Sequence, residues 1–128
     1  MKSAFWGFAV CGIFSTSVSA MGYSSEYFAC MNNAQASTTQ AALCMKSELK
    51  QQTKRYEYFA DIHVKVLPKE QQKSQEKINK KWLTLRDEHC LIKNLKLSVG
   101  HASKYYSCAL KKTQAQADLL EKQAYKYR

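Results

Sequence analysis

The chain has few of the residues that interrupt regular secondary structure. It contains one proline, Pro68, and four glycines in 128 residues, and only Gly22 and Gly100 lie beyond the first 20. So few breakers favour long helices. The stretch in which apolar and polar residues alternate best, 62–66, lies inside a helical pattern, so the sequence predicts no β-strand. We therefore predict an all-α fold.

Catalytic and cofactor motifs are missing as well. The chain has no G-x-S-x-G, H-E-x-x-H or phosphate-loop pattern, and no convincing carboxylate pair for glycoside hydrolysis. The closely spaced C-x-x-C or H-x-x-x-H pairs of zinc sites are also absent. His63 and His89 should lie far apart, which excludes a shared metal site. We predict a non-enzyme without cofactor or metal.

A long apolar run occurs only near the start of the chain. Residues 4–14 are apolar apart from two glycines and a cysteine, and Lys2 precedes them. The run is too short for a membrane span, which needs about 20 apolar residues. The small side chains of Val18 and Ala20 suit a protease that cleaves after Ala20. This layout is typical of a secretory signal peptide.

The remaining residues, 21–128, should form one basic domain. Removing residues 1–20 takes away Lys2 and Cys11, which leaves 108 residues with 19 basic and 10 acidic side chains, a net charge of +9. Cys11 is too close to the N-terminus to serve as a lipidation site. We expect a periplasmic or secreted protein that does not span a membrane.

The first two long helices should meet at Pro68. A threonine near position 38 or 39 can cap the first helix, which should end at Leu67, before the proline. Its inner side should carry Leu49, Thr53, Tyr56, Ala60, His63 and Leu67, which recur at steps of four and three. Pro68 can open the second helix, which should end near Gly100. Its inner side should carry Ile78, Trp82, Leu85, His89, Ile92 and Leu95.

A third helix should fold back after Gly100 and start near Ala102 and Ser103. Its inner side should carry Tyr106, Ala109, Thr113, Ala117, Leu120 and Ala124. The segment from Tyr23 to Asn32 should pack on the same end and could add a short fourth helix. The predicted architecture is a small antiparallel helical bundle stabilised by disulfides.

Four cysteines remain in the predicted domain, and an even number in an exported chain indicates two disulfides. They are Cys30, Cys44, Cys90 and Cys108. In the predicted bundle all four gather at the end opposite Pro68. Four cysteines allow three pairings. We favour Cys30–Cys44 with Cys90–Cys108, because each bond closes a local hairpin; the rival is Cys44–Cys90 with Cys30–Cys108.

The second predicted helix carries the pattern W-x3-R-D-x2-C. Its residues are Trp82, Arg86, Asp87 and Cys90, followed by Gly100, Cys108, Thr113 and Leu120 and preceded by Cys30, Thr39 and Cys44. Together they resemble the N-terminal domain of the exported bacterial family named after the lysozyme inhibitor LprI, over about residues 30–120. The resemblance implies an all-helical, disulfide-bonded, exported domain and lysozyme inhibition. The chain differs from the family pattern at Tyr56, Glu57, Ala60, His101 and Gln116.

Most of the motif residues have a structural interpretation. Trp82 should anchor the core, where it can bury a large area. Arg86 and Asp87 are adjacent and point about 100° apart on a helix, so they should not pair easily with each other. Each should instead reach a neighbouring helix and form a polar clasp near the disulfides, with Thr113 as a further motif residue.

Two functions fit these features. In the first, the domain blocks a peptidoglycan hydrolase, a host lysozyme or a wall-degrading toxin, by occluding its cleft. Animal-type lysozymes are basic, so such an inhibitor would need a local acidic patch on this basic chain. In the second, exposed lysines bind an anionic envelope polymer, and nucleic acid is not expected. The candidate surface comprises Lys69, Lys73, Lys77, Lys80 and Lys81.

Overall fold

The computed structural model describes residues 22–91 and 99–127, and within these ranges the fold is all-α, as predicted. It contains α1 (Ser25–Ala34), α2 (Thr38–Lys65), α3 (Lys69–Cys90) and α4 (Val99–Lys126). The short helix α1 confirms that the segment after Tyr23 adds a fourth helix. The predicted signal peptide lies outside the described residues. No helix in these ranges is both long and apolar enough to cross a membrane.

Hydroxyl side chains and the proline set the helix boundaries. The Ser24 hydroxyl accepts a hydrogen bond from the Tyr27 backbone N–H (3.1 Å) at the start of α1. The Ser37 hydroxyl accepts one from the Gln40 N–H (3.3 Å) at the start of α2, so the capping residue is a serine rather than a threonine. Pro68 precedes α3, where its fixed φ and missing N–H cost the helix nothing.

Helix α4 packs along α2 more extensively than α3 does. Met45 and Leu49 of α2 lie in one cluster with Ala109 and Leu110 of α4. Farther along α2, the second cluster joins Tyr56 and Phe59 to Ala117 and Leu120 of α4. Residues farther along α2 contact residues farther along α4, so the two helices run parallel. Both α1 and α3 run antiparallel to α2.

The predicted inner side of α3 is confirmed at Trp82, which packs on the core, and is wrong at Ile78, Leu85 and His89. Ile78 and Leu85 are 56% and 49% exposed, and His89 is exposed too. The side of α3 that faces the bundle carries Gln75, Asn79, Trp82, Leu83, Arg86 and Cys90. Two of these side chains, Asn79 and Arg86, donate hydrogen bonds to α2 or α4, and an apolar pattern could not reveal such polar contacts.

The predicted end of α3 and start of α4 are also wrong. Helix α3 ends at Cys90, and α4 already begins at Val99, so Gly100 lies inside a helix rather than terminating one. Ile92 and Leu95, which were expected to extend the inner side of α3, lie outside the described residues. The predicted inner side of α4 is confirmed. It buries Ala109, Thr113, Ala117 and Leu120, with Tyr106 and Ala124 half-buried.

Two disulfides form at the end of the bundle opposite Pro68. They join Cys30 to Cys44, with a Cα–Cα distance of 5.7 Å, and Cys90 to Cys108, with a Cα–Cα distance of 5.6 Å. This is the favoured pairing, and the rival pairing is wrong. The first bond ties α1 to α2 and the second ties α3 to α4. Each therefore links neighbouring helices next to the apolar cluster of Met45 and Leu49.

Candidate functional site

The motif residue Arg86 sits where three helices meet, and it is only 9% exposed. Its guanidinium donates hydrogen bonds to the Oγ1 atoms of Thr53 on α2 (3.0 Å) and Thr113 on α4 (3.1 Å). The Thr113 hydroxyl in turn donates to the Ala109 carbonyl at 2.6 Å. Arg86 thus joins α2, α3 and α4 just before the Cys90–Cys108 disulfide.

Arg86 also contacts Asp87, contrary to the sequence prediction. Its Nε and one terminal nitrogen both lie 3.0 Å from Asp87 Oδ1. The same oxygen accepts a hydrogen bond from the Tyr105 hydroxyl on α4 at 2.7 Å. The long arginine side chain can fold back along its helix, which the angle between Cα–Cβ directions does not capture. Burial, together with this hydrogen bond, raises the pKa of Tyr105 to about 12.

Trp82 anchors the other side of this clasp. Its ring stacks on Tyr56 of α2 with a centroid distance of 4.6 Å, and it packs on the apolar cluster around Phe59. The Tyr56 hydroxyl donates to the Asn79 carbonyl at 2.9 Å, and burial raises the pKa of Tyr56 to about 12. Trp82, Arg86 and Thr113 therefore hold the helices together, whereas the Asp87 side chain, which contacts Arg86 and Tyr105, is 43% exposed.

Replacing Arg86 with methionine should lower the free energy of unfolding by about 2 kcal/mol. The variant leaves the acceptors on Thr53 and Thr113 without their donor, and a buried unpaired polar group costs about 1–3 kcal/mol. Chemical denaturation measures the loss. Lys81→Met, at an exposed position of the same helix, is the matched control and should change stability by less than about 0.5 kcal/mol. Equal losses in both variants would contradict the clasp.

A second polar network, which the sequence analysis missed, ties the start of the described chain to α2. Both carboxylate oxygens of Glu48 accept hydrogen bonds from Ser24, one from its N–H (2.8 Å) and one from its hydroxyl (2.6 Å). Gln52 Nε2 donates to Glu48 (2.9 Å) and to the Gly22 carbonyl (3.1 Å). The Gly22 N–H donates to Asp118 of α4 at 3.0 Å.

Arg55 completes this network between α2 and α4. Its guanidinium donates to Gln52 (2.9 Å), to Asp118 (2.6 Å) and to Glu121, whose carboxylate is only 2% exposed. The Arg55 side chain is only 11% exposed, although charged residues usually lie in solvent. One sequence feature could have indicated the network. Glu48, Gln52 and Arg55 recur at steps of four and three, as do Gln114, Asp118, Glu121 and Tyr125.

A groove of about 420 Å³ lies between α2 and α3. Its floor is formed by Ala60 and Val64, which are both buried, together with Leu83. Its rim carries the exposed residues Glu57, Asp61, Glu76 and Lys80. The groove therefore combines an apolar floor with an acidic rim.

The rim concentrates negative charge on a basic chain. Three of the ten acidic residues line this one groove, although the chain has twice as many basic as acidic residues. Asp61 pairs with Lys65 of the same helix at 2.7 Å, and this contact raises the pKa of Lys65. Glu57 and Glu76 form no ion pair within the described part of the chain. Their carboxylates remain available to a cationic partner.

The five candidate lysines are exposed on α3, as a surface for an anionic partner requires. Lys69, Lys73, Lys77 and Lys81 follow one another at steps of four, so they form one ridge about 18 Å long. Lys80, three residues after Lys77, also lines the rim of the acidic groove. None of the five forms an ion pair within residues 22–91 and 99–127.

The histidines do not form a site together. His63 is half-buried on α2, whereas His89 is exposed near the end of α3. Among the described residues, no group of three or more His, Cys, Asp or Glu side chains could hold a metal ion. All four cysteines within the described residues are in disulfides. Comparisons with models of known families, with curated proteins and with solved structures find no match for this chain.

Proposed function

We propose that this chain is an exported, non-enzymatic binding protein of the cell envelope that inhibits a lysozyme or another peptidoglycan hydrolase. The observation that carries the proposal is the groove between α2 and α3, with Glu57, Asp61 and Glu76 on its rim. Basic hydrolases would be repelled by most of this basic surface, whereas a local set of carboxylates can attract them. The groove is the acidic patch that such an inhibitor needs.

The proposal also draws on the resemblance to the LprI family, of which we propose the chain is a member. The motif residues Trp82, Arg86, Asp87 and Thr113 join the helices to one another, as residues that maintain a shared family scaffold would. Two disulfides suit a protein that works outside the reducing cytosol. The proposed signal peptide, residues 1–20, would deliver the chain there.

Cell-wall hydrolysis assays test the inhibitor function. Excess protein should lower the rate at which at least one enzyme in a panel of peptidoglycan hydrolases degrades cell walls, and the effect should saturate. Glu57→Gln with Glu76→Gln should abolish the inhibition. The control pair, Glu70→Gln with Glu88→Gln, makes the same change in net charge at exposed positions outside the groove and should inhibit normally. Unchanged rates across the whole panel would reject the function.

The lysine ridge supports a second function, binding to an anionic envelope polymer. Four exposed lysines along one helix, free of ion pairs to described residues, suit a chain of regularly spaced negative groups. Binding to lipopolysaccharide or teichoic acid should weaken steeply as salt rises, because exposed charges are screened. Replacing Lys73 and Lys77 with glutamine should weaken binding to the polymer at the same salt concentration. Binding that is insensitive to salt would contradict this function.

A further inference from the structure

The groove between α2 and α3 has two chemically distinct parts. The apolar floor of Ala60, Val64 and Leu83 offers no charged group, whereas carboxylates project from both helices at the rim. Glu57 and Asp61 lie one turn apart on α2, and Glu76 lies on α3. A volume of about 420 Å³ falls within the range of about 300–1,000 Å³ that is usual for ligand pockets.

Several ligand classes fit this lining poorly. An anion would meet three carboxylates and only Lys80 as a cation on the rim. A metal ion would need ligands converging on one point, and the described residues contain no such group. A sugar ring is usually stacked on an aromatic face, but the one aromatic ring in the lining, that of Tyr56, is already stacked on Trp82.

A long organic cation matches both parts of the groove. The methylene stem of an arginine or lysine side chain packs on apolar surface while its charged head stays at the polar edge. The guanidinium has five donors in a planar fork, so it can bind carboxylates on two sides at once, whereas the lysine ammonium is a compact point charge. Carboxylates on both α2 and α3 therefore favour arginine.

We infer that the groove binds a single arginine side chain of a partner protein, with the stem over Ala60, Val64 and Leu83 and the guanidinium between Glu57 and Glu76. This inference rests on the proposed binding function and specifies the chemistry of the partner. Asp61 is already paired with Lys65 and lies at the edge of the site.

Titration with short peptides, followed by amide NMR shifts of the protein, tests the inference without any hydrolase. The probes are acetyl-Gly-Arg-Gly-amide, the same peptide with lysine, and the same peptide with citrulline, which has nearly the shape of arginine but no charge. The arginine peptide should give saturable shifts at Ala60, Val64 and Leu83. The lysine peptide should bind more weakly, and the citrulline peptide should cause no saturable shift.

Two matched pairs of substitutions locate the site. Glu57→Gln with Glu76→Gln should weaken binding of the arginine peptide by about tenfold or more, since two charge-assisted hydrogen bonds, each about twice as strong as a neutral one, become neutral. Glu70→Gln with Glu88→Gln should change it less than about twofold, because these exposed carboxylates lie outside the groove. The amide spectrum of each variant shows whether it is folded.

Three results would overturn the inference: no saturable shift with the arginine peptide, equal binding of the citrulline peptide, or equal losses in the two pairs. The outcome is separable from that of the proposed function. Arginine binding without inhibition of any hydrolase would leave the inference standing and reject the function. Inhibition of a hydrolase by the unmodified protein, without any binding of the arginine peptide, would leave the function standing and reject the inference.

Discussion

Replacing Arg55 with methionine is expected to lower the free energy of unfolding by about 3–5 kcal/mol. Arg55 is the cation that contacts Asp118 and the deeply buried Glu121, and it also donates to Gln52. Removing it leaves a carboxylate in the protein interior without its counter-charge. Removing one partner of a buried ion pair costs this much because the remaining charge is still desolvated.

Denaturation by urea, monitored by circular dichroism, measures the change. Lys54→Met is the control, because it removes the same charge from an exposed position next to Arg55 and should cost less than about 0.5 kcal/mol. Combining Arg55→Met with Glu121→Leu should recover part of the loss, since the unpaired buried carboxylate is then gone. A loss below about 1 kcal/mol in the single variant would show that the network does not stabilise the fold.

Removing the Cys90–Cys108 disulfide should lower the free energy of unfolding by about 3 kcal/mol. The bond closes a loop with a sequence separation of 18, and a loop of this length restricts the unfolded chain by about that amount. The variant Cys90→Ala with Cys108→Ala keeps small apolar side chains at a site where Cys90 is buried. Thermal and urea denaturation measure the loss.

The other disulfide provides the comparison for this variant. Cys30→Ala with Cys44→Ala opens a slightly shorter loop, with a separation of 14, and should cost a similar or slightly smaller amount. Adding a reductant to the unmodified protein should reproduce both losses together. If reduction leaves the denaturation midpoint unchanged, the bonds do not stabilise the domain.

Local periodicity is the part of the fold that the sequence determined. Ala109, Thr113 and Ala117 recur at steps of four along α4, and this spacing predicts their burial because a packing partner would cover that side of the helix. Pro68 and the shortage of other breakers indicated two long helices that meet at the proline and a third after them, but not where α3 ends or α4 begins. The spacing of the cysteines about the turns placed all four at one end, and the preference for local loops identified their pairing.

Only the tertiary structure decided which polar residues are inside. Arg55, Glu121 and Arg86 are buried because each meets a partner on another helix, and helix periodicity carries no information on such partners. Ile78 and Leu85, by contrast, are exposed although they follow an apolar pattern, because α3 turns its polar side towards α2 and α4.

The acidic groove, too, is decided only by the tertiary structure. Glu57 and Glu76 are 19 residues apart and look like ordinary surface acids in the sequence. They share one groove because α3 runs back antiparallel to α2 after Pro68. The polar contacts between α3 and α2 determine which side of α3 faces α2. Helix formation depends on neighbours within one turn, so sequence reveals it. A surface shared by two helices depends on their mutual rotation, which long-range contacts alone determine.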